Sequence, residues 1–106
     1  MMGDGYVYLI GYDGEPGVYK IGSTRSSDIG KRMRALQTSS PKKLVLAESF
    51  KTGKPFRLEH MLHRVFSENR LEGEWFELGE DAACRFREQC VKYQRIIDSL
   101  ESNPFY

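Results

Sequence analysis

Aromatic and β-branched residues come in two short runs early in the chain, over 6–10 and 18–23, with Asp13-Gly14 and Pro16-Gly17 between them. Runs of this kind around turn residues predict a β-hairpin. Folding about Gly14 sets Tyr8 opposite Lys20, Ile10 opposite Val18 and Tyr6 opposite Gly22, and directly opposed residues share a face of the sheet. One face then carries Tyr6, Tyr8, Lys20 and the bare backbone at Gly22. The other carries Val7, Leu9, Tyr19 and Ile21, a surface suited to a core. A phenol and an ammonium beside a glycine gap serve packing poorly and suit the floor of a site.

Helical spacing follows. A polar loop over 23–27 leads to Ser27 or Asp28, either of which suits a helix N-cap. In the helix predicted over 29–37, Ile29, Met33 and Leu36 fall on one side. Arg32 falls there too, while Lys31 and Arg34 face water. An arginine aimed at the protein's own body is costly unless paired or open to a site. Arg32 is therefore either a site residue or a snorkelling group tied to a core carboxylate or a carbonyl. Ser39, Ser40 and Pro41 end this helix, residues 44–50 read as a third strand, and 51–54 as a turn. Pro55 suits the first turn of a second helix over 55–67. There Leu58, Met61, Leu62, Val65 and Phe66 form an apolar stripe. Glu59 sits at its edge, able to reach the sheet and still touch solvent, and His63 lies one turn further on the same flank.

Residues 72–78 read as a turn and a short extended piece, with Trp75, the only tryptophan, as a core plug. A long helix over about 80–101 places Phe86, Cys90, Tyr93, Ile97 and Leu100 on one face. That face packs on the domain or meets a protein partner or second copy, packing being the simpler use. Together these elements predict an α/β (α+β) fold, a small three-stranded antiparallel sheet flanked by helices with an extra C-terminal helix.

A chain of 106 residues makes one domain with a single modest core. A net charge of +1 gives no global sign of a nucleic-acid partner, so a binder needs its basic residues clustered locally. With no apolar run near transmembrane length and no signal-peptide pattern, the expected location is cytoplasmic. Cys84 and Cys90 do not match a CxxC redox or zinc spacing and read as reduced thiols packed as small apolar groups.

Tyr6-Val7-Tyr8, Lys20-Ile21-Gly22, a helical Arg32 and a later helical Glu59, in that order, resemble the GIY-YIG endonuclease superfamily. The nearer resemblance is to its small phage and microbial branch. That branch has K-I-G in place of Y-I-G, an L-E-x-x-L-H element (here Leu58, Glu59, Leu62, His63) and a terminal G-E-W-F (here 73–76). The resemblance covers roughly 6–78. Each motif is short, and the ordered set on a strand-strand-helix-strand-helix layout is fairly specific. It implies hydrolysis of nucleic-acid phosphodiesters, DNA above all, with Mg²⁺ or Mn²⁺ as cofactor. Tyr8 falls at the first-motif tyrosine, Lys20 at the second-motif position, Arg32 at the helical arginine and Glu59 at the metal ligand.

The chemistry implied is coherent. Mg²⁺ keeps most of its waters, so one carboxylate plus phosphate oxygens can hold it. Arg32 offers a planar fork to phosphate oxygens as charge grows. Tyr8, with an ordinary pKa of about 10, needs nearby positive charge to act as a base at neutral pH. Lys20 across the hairpin supplies that charge, or itself orients the water or stabilises an oxyanion. His63 reads as a second ligand, a hydrogen-bond partner of Glu59, a proton carrier or a purely structural residue.

There are departures from the superfamily's pattern. Its first glycine is Tyr6 here, its second tyrosine is Lys20, and a late asparagine of several members has no counterpart. Asn69 lacks a fixed direction, and Glu74 substitutes at most in part, turn carboxylates usually being solvated. Phosphate contacts fall to Arg25, Lys31, Arg34, Lys42 and Lys43, with Lys51 and Lys54 beyond them, positioning a duplex without reading sequence. The rival reading is a non-catalytic module binding nucleic acid or protein on the same fold, for which an Arg32–Glu59 ion pair closing the pocket would speak.

Overall fold

The computed structural model describes residues 4–102. The chain runs β1 (Gly5–Tyr12), β2 (Glu15–Thr24), α1 (Ile29–Thr38), β3 (Leu44–Thr52) and α2 (Pro55–Val65), then a 3₁₀ turn at Ser67–Asn69, β4 (Arg70–Glu72), β5 (Trp75–Glu77) and α3 (Ala82–Glu101). The fold is α+β, and its antiparallel sheet has five strands in the order β3-β1-β2-β5-β4. This corrects the expected three-stranded sheet. Residues 70–77 fold into a hairpin turned at Gly73, whose φ of +56° is a left-handed conformation that favours glycine. The hairpin adds itself to the outer edge of β2, where Val18, Tyr19 and Lys20 pair with Glu77, Phe76 and Trp75. Strands of three residues are too short to show a period-two alternation, so only the edge they cover identifies them.

The first hairpin is paired two residues away from the register read off its turn. Tyr8 stands opposite Gly22, Ile10 opposite Lys20 and Tyr6 opposite Thr24. Its loop is the tight Asp13-Gly14 turn between Tyr12 and Glu15, and residues 16–18 are taken up in an irregularity before Gly11 pairs with Tyr19. A two-residue slip leaves every side chain on its expected face, so Val7, Leu9 and Ile21 line the core as read. Lys20, however, is diagonal to Tyr8 and not across from it.

The core lies between that face and the two longer helices. Leu58, Leu62 and Phe66, with Ala82, Phe86, Cys90 and Ile97 of α3, bury against Val7, Leu9, Ile21, Phe76 and Leu78. The apolar face of α3 is thus occupied by the domain, packed on α2 and β3, and Thr52 Oγ1 donates to Gln94 Oε1 across that contact at 2.5 Å. Register also decides the fate of the Trp75-Phe76 pair. Phe76 follows Tyr19 inward and is fully buried, so it is the core plug expected of Trp75. Trp75 follows Lys20 to the opposite face, half-buried and stacked on Tyr12 with ring centroids 4.7 Å apart. Cys90 is buried as expected, whereas Cys84 is exposed. No described helix is long and apolar enough to cross a membrane.

α1 covers the Tyr8 face and is lightly held, with no fully buried residue. Its N-terminus is capped by Asp28, which accepts from the Lys31 N–H at 3.1 Å. Near its other end, Gln37 donates to the Lys42 carbonyl at 2.9 Å and accepts from the Leu44 N–H at 2.8 Å.

Candidate active site

β5 stops pairing at Lys20. One further bond, from the Ile21 N–H to the Glu74 carbonyl at 3.0 Å, closes the junction. From Gly22 onward the outer edge of β2 has no strand partner among the described residues. Tyr8 and Arg32 reach this edge from the α1 side, Ser23, Glu59 and His63 from the α2 side, and Glu74 and Arg70 from the β4–β5 hairpin.

Gly22 is the hinge point of the arrangement. A Cβ there would lie 2.6 Å from Cε1, Cζ and Oη of Tyr8, so the missing side chain is what lets the ring cross the strand. The ring is 1% exposed, and its Oη accepts from Arg32 Nε at 3.4 Å. Burial raises the Tyr8 pKa, the Arg32 bond and charge oppose this, and Glu74 and Glu59 push the same way as burial. Tyr8 therefore holds its proton at neutral pH and offers it as a hydrogen bond. The cation beside it is Arg32, not the Lys20 expected from the hairpin register.

Glu59 accepts a short hydrogen bond from Ser23 Oγ. Burial, the largest cause, raises its carboxyl from 4.5 to about 7. The Ser23 bond and Lys20 pull it down, and a hydrogen bond and repulsion from Glu74 push it up. Lys20 Nζ stands 3.7 Å from Glu74 Oε2, whose side chain is 43% exposed.

His63 lies 3.4 Å from Glu59 Oε2 through its Nε2. The same Nε2 is 2.9 Å from the Ile21 carbonyl, and Nδ1 is 3.1 Å from an Arg70 guanidinium nitrogen. Arginine only donates, which assigns the lone pair to Nδ1 and the proton to Nε2. His63 Nε2–H then donates to the Ile21 carbonyl beside Glu59, and the ring packs edge-on against Phe76 with centroids 5.1 Å apart. Both nitrogens are engaged, so His63 is fixed beside Glu59 and has no lone pair aimed at the cluster.

Ligand atoms of Glu59, His63 and Glu74 all lie within 4.8 Å of one another. The donors left for an ion are the carboxylates of Glu59 and Glu74, whose mutual repulsion helps raise the Glu59 carboxyl. Once Glu59 gives up its proton the pair offers hard anionic oxygens, which fit a hard dication such as Mg²⁺.

The basic residues expected at a phosphate backbone surround α1 and the start of β3. The Arg25 guanidinium sits over Phe56, 5.0 Å from the ring centroid. Arg34 is 4.0 Å from Asp28, and Lys42 is 3.0 Å from Glu15. Lys31 and Lys43 are exposed. Further out, Lys51 and Lys54 pair with Asp4 and Glu101. Arg32 and Glu59 form no ion pair among the described residues. Sequence reasoning undervalued Glu74 and missed Arg70. The hairpin turn at Gly73 brings Glu74 inward beside Ile21, and a strand assignment for 70–77 would have placed both residues at this edge.

Among protein-family models, that of the T5orf172 domain matches residues 5–92. No curated protein and no solved structure matches the chain.

Proposed function

The chain belongs to the T5orf172 domain family, which is associated with nucleases, and from that premise we propose that it is a metal-dependent endonuclease of the GIY-YIG type acting on DNA. The observation that carries this reading is the meeting, at one open strand edge, of a bonded Tyr8–Arg32 pair and the carboxylates Glu59 and Glu74.

In this reading Glu59, with Glu74 beside it, holds the divalent ion. When bound, Mg²⁺ supplies charge neutralisation at the phosphate and a more acidic water. Arg32 binds the non-bridging phosphate oxygens through its planar fork, which suits charge that grows in the pentavalent state. Tyr8, kept as the phenol, donates to a phosphate oxygen or to the attacking water and orients it. Lys20 neutralises negative charge on the side of Glu74, next to where a leaving oxygen emerges. Ser23 and His63 position the Glu59 carboxylate, and Arg70 holds His63 in the required tautomer. Lys31 and Lys43 track the backbone without reading bases, with Arg25, Arg34 and Lys42, each already engaged by a neighbouring side chain, at its margin.

A plasmid-nicking assay with Mg²⁺, Mn²⁺ or EDTA tests this. Divalent-dependent nicking is expected, reduced by about 100-fold or more in Glu59→Gln and Arg32→Ala proteins that fold normally. Cleavage persisting in Glu59→Gln overturns the metal assignment. The Lys20–Glu74 pair favours a second reading, since the ammonium already neutralises part of the acidic cluster without a metal. A protein that retards DNA in a gel and cuts nothing would support that non-catalytic module.

A further inference from the structure

Next to the catalytic edge, on the same face of the sheet, lies a pocket of about 210 Å³. Its walls include Tyr12, Trp75, Lys20, Leu36 and Ser40, so it opens between the end of α1 and the sheet. We propose that this pocket receives one unpaired nucleobase of the substrate, making the protein selective for single-stranded or frayed nucleic acid. The inference rests on the nuclease reading and names its substrate class.

Four observations converge on it. First, the wall is aromatic in the form that bases use. Tyr12 and Trp75 are stacked, 17° from parallel, and both are only half-buried. Neither belongs to the core, where Phe76 fills the place next to Trp75. A half-buried pair of stacked rings that lines an open pocket is a platform on which a further flat ring adds favourably, whatever the base.

Second, the space suits a single ring system. It is several times the ~30 Å³ share of one water and falls short of the roughly 300–1,000 Å³ of sites for drug-sized ligands. A base pair with its stacked neighbours does not fit.

Third, the wall carries an ammonium that suits a nucleotide phosphate, that of Lys20, whereas Lys42, 5.0 Å from the Tyr12 ring centroid, is already paired with Glu15. Fourth, Lys20 also connects the pocket to the metal-fitting carboxylates, since its Nζ is 3.7 Å from Glu74. A base seated on Trp75 therefore has its own phosphate carried along Lys20 toward Glu59, Arg32 and Tyr8. A base in this pocket has left its partner strand, which is why the inference selects unpaired substrate.

Trp75 is the only tryptophan in the chain, so its emission reports on the pocket directly. The experiment titrates the full chain in EDTA, where no metal-assisted cutting occurs, with a mixed-sequence 12-nucleotide DNA strand and with its 12-base-pair duplex. Saturable quenching by the single strand is expected, with little by the duplex. Tyr12→Ala is expected to weaken single-strand binding roughly 5- to 150-fold, the range of one lost base stack, read by anisotropy of a labelled strand. Trp75→Phe, which keeps an aromatic ring, retains most of the affinity, and Trp75→Ala loses it. Circular dichroism checks each variant for folding; Tyr12→Ala, at a half-buried position outside the core, keeps the test open if Trp75→Ala does not fold.

Single-strand affinity unchanged in folded Tyr12→Ala, with Mg²⁺-dependent nicking intact, overturns the pocket and leaves the nuclease reading standing. Equal quenching by duplex and single strand overturns the selectivity for unpaired bases. A wild-type protein that neither binds nor cuts any DNA overturns both readings together.

Discussion

Glu59 is held where its charge is unwelcome, and that has a measurable consequence for stability. Its carboxyl in the folded protein is raised from 4.5 to about 7, so the folded state binds a proton more tightly than the unfolded chain. The contribution of that proton to stability is complete below about pH 4.5. It is lost as pH rises through 7, after which the fold carries an ionised, mostly buried carboxylate. Glu59→Gln keeps the shape and an acceptor for Ser23 without the charge. In EDTA it is expected to be more stable than the natural protein at pH 8 by on the order of 2–3 kcal/mol, and no more stable at pH 4.5, by urea unfolding. An equal difference at both pH values would refute the assignment, since a packing effect does not titrate. A residue that weakens the fold it belongs to is a mark of function rather than architecture. Alternation put Tyr8 on the sheet face opposite the core, and helical spacing turned Arg32 toward the protein's body and set Glu59 at the edge of the α2 stripe, which is where these side chains lie. The roles of Trp75 and Phe76 were not legible. Two adjacent aromatics on a three-residue strand go to opposite faces, and only pairing with Tyr19 and Lys20 decides which is which.

Among the elements, α1 stands apart. It supplies Arg32 to the site and Leu36 to the pocket beside it, yet buries no residue fully. Beyond a half-buried apolar side, its ties to the rest of the chain are polar, from Gln37 to Lys42 and Leu44 and from Arg32 to Tyr8 at 3.4 Å, while Asp28 caps the helix's own first turn. α2 and α3 share a core with the sheet instead. Helices held by few buried apolar contacts open locally at lower free energy. Hydrogen exchange of the metal-free protein is therefore expected to show α1 amides exchanging roughly ten-fold or more faster than those of α3, with opening energies well below the global value. Under the proposed function, adding DNA is expected to slow exchange in α1 selectively, through Arg32. Exchange in α1 as slow as in α3 would contradict this. Sequence periodicity located all three helices because each keeps an apolar side over several turns, but it does not register how little of that side is covered. The β4–β5 hairpin escaped for the opposite reason. Its existence depends on a bare edge of β2, a tertiary fact that local propensity does not contain.

For the molecule as a whole, charge is almost balanced at +1, and much of the basic surface is already answered. Arg34, Lys42, Lys51 and Lys54 each stand within 4.0 Å of a carboxylate. Arg25 leans on Phe56, so that among the basic residues around α1 and the start of β3, Lys31 and Lys43, with Arg32 in the site, are the cations most available to phosphates. Exposed pairs of this kind contribute little to stability, but they lower the number of counterions a DNA strand releases on binding. Each phosphate neutralised contributes about −0.7 to −0.9 to the slope of log affinity against log salt. Three such contacts predict a slope near −2 to −3 (roughly 0.7–0.9 each), shallow for a protein with 16 lysines and arginines. Affinity measured between 50 and 200 mM salt (about a four-fold range) is then expected to fall by roughly 15- to 60-fold. Charge reversal of Lys31 reduces the slope by about 1. A slope near −6 would mean that the surface pairs open on binding and that the backbone footprint is twice as large. With so few phosphate anchors, placement of the proposed nucleic-acid substrate rests on contacts that carry no charge, and the ring face of Trp75 beside the open edge of β2 is where such a contact is available.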